Sequence, residues 1–95
     1  MTDTRKAYQE RIEAEIEKMS AQIEILKAKA KKAKAETKTD LLTQVDNLEE
    51  LQDETSRRLE ELKASGETAW RELMAGVDGA LQELENAVER AFSKQ

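Results

Sequence analysis

Carboxylates spaced four apart, such as Glu13 and Glu17 or Glu50 and Glu54, share one face of a helix and could pair around a metal ion. A two-metal centre in a helical bundle completes its ligand set with Glu-x-x-His motifs, and the sequence contains no histidine. A solvated charged face accounts for these glutamates. Ser20, Ser56, Ser65 and Ser93 supply hydroxyls, but none has a basic partner at motif spacing to take its proton. There is no cysteine, which removes disulfides, thiolate zinc sites and thiol catalysis. These readings predict a protein that is not an enzyme. They assign no catalytic, cofactor-binding or metal-binding residues, no cofactor and no small-molecule substrate.

The stretch from Lys27 to Lys38 is small and basic, and clustered cations on a helix are suited to phosphate groups. No aromatic residue lies within it to stack on bases. Carboxylates between Asp46 and Glu54 can neutralise it inside the fold, so charge pairing between helices is the favoured reading. The net charge of −5 argues against general binding of nucleic acid or of anionic membranes. Trp70, the single tryptophan, reads as a core anchor rather than a membrane-interface anchor, because its helix is itself acidic.

The elements that must position these residues are helices. The chain has 95 residues, the size of one domain (1–95), with 39% charged and 3% aromatic residues, no proline and three glycines. Such a composition suits either disorder or a long amphipathic helix, and periodicity decides. Tyr8, Ile12, Ile16, Met19, Ile23, Leu26, Ala30 and Ala33 recur at steps of three and four. The seam resumes at Leu41, Val45, Leu48, Leu51, Thr55, Leu59 and Leu62. A third stripe runs through Trp70, Leu73, Met74, Val77, Leu81, Leu84, Val88 and Phe92. The fold class is all-α: a long amphipathic helix over about 4–64, a turn at 65–66, and a shorter helix over about 67–92 folded back as a hairpin, forming a coiled coil or helical bundle. Thr2, Asp3 or Thr4 can cap the first helix, and Ser65 or Thr68 the last. Gly66 suits a left-handed helix end. Gly76 and Gly79 read as packing notches or sites of fraying.

Two pairing registers are legible. Reversal at Gly66 sets Leu62 against Trp70, Leu59 against Leu73, Thr55 against Val77 and Leu48 against Leu84, an αα-hairpin over 41–92. A second centre near residue 40 sets Met19 against Leu62, Ile23 against Leu59 and Leu26 against Thr55. It places Lys27, Lys31, Lys32 and Lys34 near Glu54, Glu50, Glu49 and Asp46. This second register is satisfied by a turn at Thr37–Asp40, giving a monomeric three-helix bundle, or by an unbroken helix crossing a second copy. The lack of Gly or Pro at 37–40 favours the unbroken helix, and hence a homo-oligomer: an antiparallel dimer or a higher helical bundle. No apolar run is long enough to span a bilayer, and the N-terminal residues are charged, so the expected location is cytoplasmic.

Three segments, residues 1–9, 26–35 and 62–81, together resemble a family of short, uncharacterised bacterial coiled-coil proteins. The most specific part is Ser65, Gly66, Ala69, Trp70 and Leu73. The resemblance implies a small cytosolic helical protein, and some members are linked to stress responses. It implies no biochemical activity and no catalytic residues. The last stripe is also similar in texture to the helices of exchangeable apolipoproteins, which leaves reversible binding of lipid surfaces as an alternative function, beside weak nucleic-acid binding through Lys27–Lys38.

Overall fold

The computed structural model describes residues 2–94 as three helices, α1 (Thr2–Lys32), α2 (Ala35–Ala64) and α3 (Glu67–Ser93), packed as a rod of 51 × 19 × 18 Å. The side chains of Thr2 and Asp3 lie outside the described residues, and with α1 beginning at Thr2, Thr4 sits inside its first turn. The protein is all-α, and the α2–α3 hairpin reverses where the sequence places it, at Ser65 and Gly66.

The expected unbroken helix over 4–64 is replaced by two helices separated at Ala33 and Lys34. Nor does the chain turn at Thr37–Asp40, which form the opening of α2. Lys34 takes φ −71° and ψ 159°, extended backbone open to any L-residue, so the reversal needs neither glycine nor proline. The Ala33 amide donates to the Ala30 carbonyl at 3.2 Å, closing α1 with a tightened last turn. Thr39 and Thr43 direct their hydroxyls to the carbonyls of Ala35 and Thr39, so polar side chains at this end are served within their own helix.

Moving the turn moves the register. Met19, Ile23 and Leu26 share a buried cluster with Val45 and Leu48, not with Leu59 and Leu62; those two are met by Ile12. Lys27 pairs with Glu49 at 2.6 Å rather than with Glu54. Lys31, Lys32 and Lys34 have no ion pair within 4 Å among the described residues, so the expected neutralisation of the basic stretch stops at Lys27. A seam built on steps of three and four accepts several registers, and a slide of about three turns keeps the same faces together. The observed slide pairs helices of 31 and 30 residues along their full length and brings Tyr8, Ile12 and Ile16 into the core.

All three helices feed that core. Ile12, Ile23, Leu26, Leu48, Leu62, Val77 and Leu84 are fully buried. Thr55, also fully buried, donates its hydroxyl to the Leu51 carbonyl at 2.8 Å, which removes the cost of placing a polar group in the seam.

Gly66 is not left-handed: its φ of −84° and ψ of 177° make it an extended residue opening α3. Neither Ser65 nor Thr68 caps α3; the Ser65 hydroxyl instead donates to the Leu62 carbonyl at 2.7 Å and closes α2. A methyl group at Gly66 meets nothing and the backbone there is open to any L-residue, so alanine carries no strain at this position. Gly76 lies opposite Arg58, whose guanidinium would sit 3.1 Å from an added Cβ, whereas Gly79 faces open space inside α3. Gly79→Ala is expected to stabilise the protein by about 0.5–1 kcal/mol, because alanine loses less backbone entropy in a helix interior. Urea unfolding followed by circular dichroism measures it, and a destabilised variant would mean that this stretch of α3 is not helical.

Candidate functional site

The two ends of the rod carry opposite kinds of chemistry. At one end α1 begins beside the α2–α3 turn. Arg5, Tyr8 and Arg11 recur every three residues along α1, and Trp70, Met74 and Asp78 recur every four along α3. The two rows interlock. The Tyr8 hydroxyl donates to the Asp78 carboxylate at 2.6 Å, and it lies 3.3 Å from the Met74 carbonyl. The Tyr8 ring meets Trp70 edge-on, with centroids 5.8 Å apart and planes at 73°. Arg5 stacks over the Trp70 ring at 4.1 Å and donates to the Ser65 carbonyl at 3.0 Å. Arg11 lies 5.2 Å from the centre of the Tyr8 ring. Burial, then the hydrogen bond to Asp78, pushes the Tyr8 phenol well above its ordinary value, so it stays a protonated donor. Beside this cluster Lys63 pairs with Glu13 at 2.6 Å, tying α2 to α1.

This arrangement is a clasp. The phenol, held protonated by burial and donating to the Asp78 carboxylate, ties α1 to α3. Trp70 is the expected anchor, but it is only partly buried: it packs against the cluster of Ile12, Leu59, Leu62, Val77 and Leu81 and meets Tyr8 and Arg5 of α1. The sequence reading missed Arg5, Arg11 and Asp78. The available signal was the Arg-x-x-Tyr-x-x-Arg spacing opposite Trp-x-x-x-Met-x-x-x-Asp, which becomes legible only once α1 and α3 are known to touch.

Two of the candidate carboxylates are held by cations. Glu13 and Glu54 enter ion pairs with Lys63 and with Arg57 and Arg58, and among the described residues no group of three or more Asp and Glu side chains is placed to hold a metal ion. A different carboxylate pair forms. Glu85 on α3 lies against Glu15 on α1, with Lys18 and Arg11 nearby. Burial first, then the shared hydrogen bond and charge of Glu15, raises the Glu85 carboxyl above its ordinary value; Lys18 and Arg11 oppose the shift. An acid whose folded-state pKa is raised binds more protons folded than unfolded, so its contribution to stability is present at acid pH and is lost as pH rises through the folded value. Glu85→Gln should therefore be more stable than the parent at neutral pH, with the difference closing at about pH 4, where a free glutamate is largely protonated. Melting curves at the two pH values check this, and equal gains at both would exclude titration as the cause.

The other end gathers the last turns of α1 and α3 and the first turn of α2. Lys29, Lys31 and Lys32 close α1, Lys34 opens α2, and Arg90 and Lys94 lie at the end of α3. The Lys29 ammonium lies 5.5 Å from the centre of the Phe92 ring, joining α1 to α3. Lys27 sits between Glu49 and Glu24, and the hydrogen bond to Glu49 is the larger cause of its raised pKa.

Fold and surface together define an all-α three-helix bundle clasped at one end and basic at the other. No family model matches the chain, and no curated protein or solved structure matches it. No helix among the described residues is long and apolar enough to cross a membrane.

Proposed function

We propose that the protein is a non-enzymatic helical interaction protein that associates with a second copy of itself. The observation that carries this reading is the α1–α2 junction. Ala33 and Lys34 separate two long helices without a glycine, a proline, a left-handed residue or a side-chain cap. The flanking residues are alanine and lysine, among the best helix formers. Two residues adopting helical angles would join α1 and α2 into one helix of about 95 Å, at 1.5 Å per residue. Each α1 would then lie on the α2 of a second copy through the same seam, a domain-swapped antiparallel dimer. A stress-related scaffold role belongs to this proposal and rests on the sequence resemblance alone.

The lysines set the balance. In the swapped dimer the basic stretches of both chains meet at the crossing point, so repulsion favours the monomer at low ionic strength. Screening shortens the Debye length from about 10 Å at 0.1 M to about 3 Å at 1 M salt, and the dimer fraction should rise with it. Ala35→Pro locks the monomer: proline suits the first position of α2 and the extended Lys34 before it, but costs about 3 kcal/mol inside a continuous helix. Size-exclusion chromatography with light scattering is the test. Wild-type protein should show a dimer that grows with concentration and salt, and Ala35→Pro should remain monomeric and folded. A wild-type chain that stays monomeric under every condition sinks the proposal.

A further inference from the structure

The fold separates charge that the sequence averages away. The segment from Lys27 to Asp40 holds six lysines against two carboxylates, Glu36 and Asp40, and the end of α3 holds Arg90 and Lys94 against Glu89; of the six lysines, Lys27 is paired with Glu49 and Glu24. The rest of the chain carries eight cations against eighteen carboxylates. All the excess positive charge therefore lies at one end of a rod 51 Å long. Lys31, Lys32, Lys34, Lys38, Arg90 and Lys94 are exposed, with no ion pair within 4 Å among the described residues. Helix dipoles do not cancel this charge. The ends of α1 and α3 contribute roughly −0.5 each and the start of α2 roughly +0.5, a small sum beside the lysines.

A second feature falls in the same region. The two exposed large hydrophobic residues among those described are Ile25, 50% accessible, and Leu42, 43% accessible. Ile25 precedes Lys29 and Lys32 by four and seven positions, and Leu42 follows Lys38 by four, so each shares a helix face with lysines. Among the described residues no exposed aromatic ring lies at this end to stack on a base. Aliphatic side chains beside lysines find a medium in the headgroup and acyl boundary of a bilayer, and none along a phosphodiester backbone.

We infer that the basic end of the monomeric bundle docks on an anionic lipid surface, with the acidic remainder of the rod directed away from it. At physiological ionic strength the Debye length is about 8 Å, so most of the acidic body lies beyond the reach of the surface charge. The net charge of −5 therefore does not preclude docking. The apolar stripe of α3 takes no part, because Val77, Leu81, Leu84 and Val88 are buried within the bundle.

Vesicle co-flotation tests the inference with the full chain. Wild-type protein should float with phosphatidylserine-containing vesicles and not with pure phosphatidylcholine, and the binding should weaken as salt is raised. Each lysine near an anionic surface is worth about fivefold in partitioning. Joint replacement Lys31→Glu, Lys32→Glu, Lys34→Glu and Lys38→Glu should thus cut binding by more than about a hundredfold. The same four positions changed to Arg should bind as wild type. Circular dichroism melting verifies that both variants are folded; if the glutamate set is not, four glutamines take its place, with the same expected loss of binding. Absence of flotation at low ionic strength, equal flotation with neutral vesicles, or binding retained by the charge-reversed protein would each overturn the inference. Displacement from vesicles by a short DNA duplex that binds more tightly would also overturn it and assign the basic end to nucleic acid.

Discussion

Leu84→Ala is expected to destabilise the protein by about 3 kcal/mol, through lost transfer energy and the cavity left behind. Leu84 is fully buried in a cluster that takes Met19, Ile23 and Leu26 from α1, Val45 and Leu48 from α2, and Val88 and Ala91 from α3. The site thus belongs to all three helices, and no single one can shift to fill the hole without unpacking another. Met19 tempers the loss: its flexible thioether can partly occupy the space, which keeps the figure toward the lower part of the 2–5 kcal/mol range for such deletions. In a domain of this size each kcal/mol lowers the melting temperature by roughly 4–8 °C, so a fall of roughly 12–24 °C is expected. Leu84→Met, which nearly conserves volume, should lose less than about 1.5 kcal/mol. Urea unfolding of both variants measures the difference. An alanine variant within about 1 kcal/mol of wild type would mean that the three helices do not meet at this leucine.

Trp70→Ala is expected to cost about 2–3 kcal/mol, below the 3–5 kcal/mol typical of a fully buried aromatic, because the ring is only partly buried. Part of the loss is hydrophobic contact with the cluster of Ile12, Leu59, Leu62, Val77 and Leu81. The edge-on contact with Tyr8 adds about 0.5–1.5 kcal/mol, and the Arg5 guanidinium over the ring about 0.5–1 kcal/mol. A double-mutant cycle isolates the last term. Arg5→Ala in a Trp70→Leu background should cost less than in the wild type, and the difference is the stacking energy. Purely additive changes would show that Arg5 acts through its hydrogen bond to the Ser65 carbonyl alone.

Much of the architecture is local, and the sequence by itself determined it. Steps of three and four place Ile12, Ile23, Leu48, Leu62, Val77 and Leu84 on helix faces, and all of them are buried. Ser65-Gly66 marks the end of one amphipathic face and the start of another, and α2 and α3 meet there as a hairpin. These features depend on spacing within a dozen residues, which the sequence states directly.

The α1–α2 junction is different. Lys32, Ala33 and Lys34 are unremarkable helix formers, and nothing local distinguishes a break there from a break at Thr37–Asp40 or none at all. Only the tertiary structure decided it. Breaking at Ala33 and Lys34 lets helices of 31 and 30 residues pair end to end and brings Tyr8, Ile12 and Ile16 onto the core, which a centre near residue 40 would leave beyond the partner helix. The same choice moved Lys27 from Glu54 to Glu49, left Lys31, Lys32 and Lys34 without an ion pair among the described residues, and set Tyr8 against Asp78. A repeating seam specifies which faces meet but not how far one helix slides along the other, because each slide of about three turns restores the same faces. The sum of burial along the whole length settles the slide, and that sum exists only when all three helices are in place.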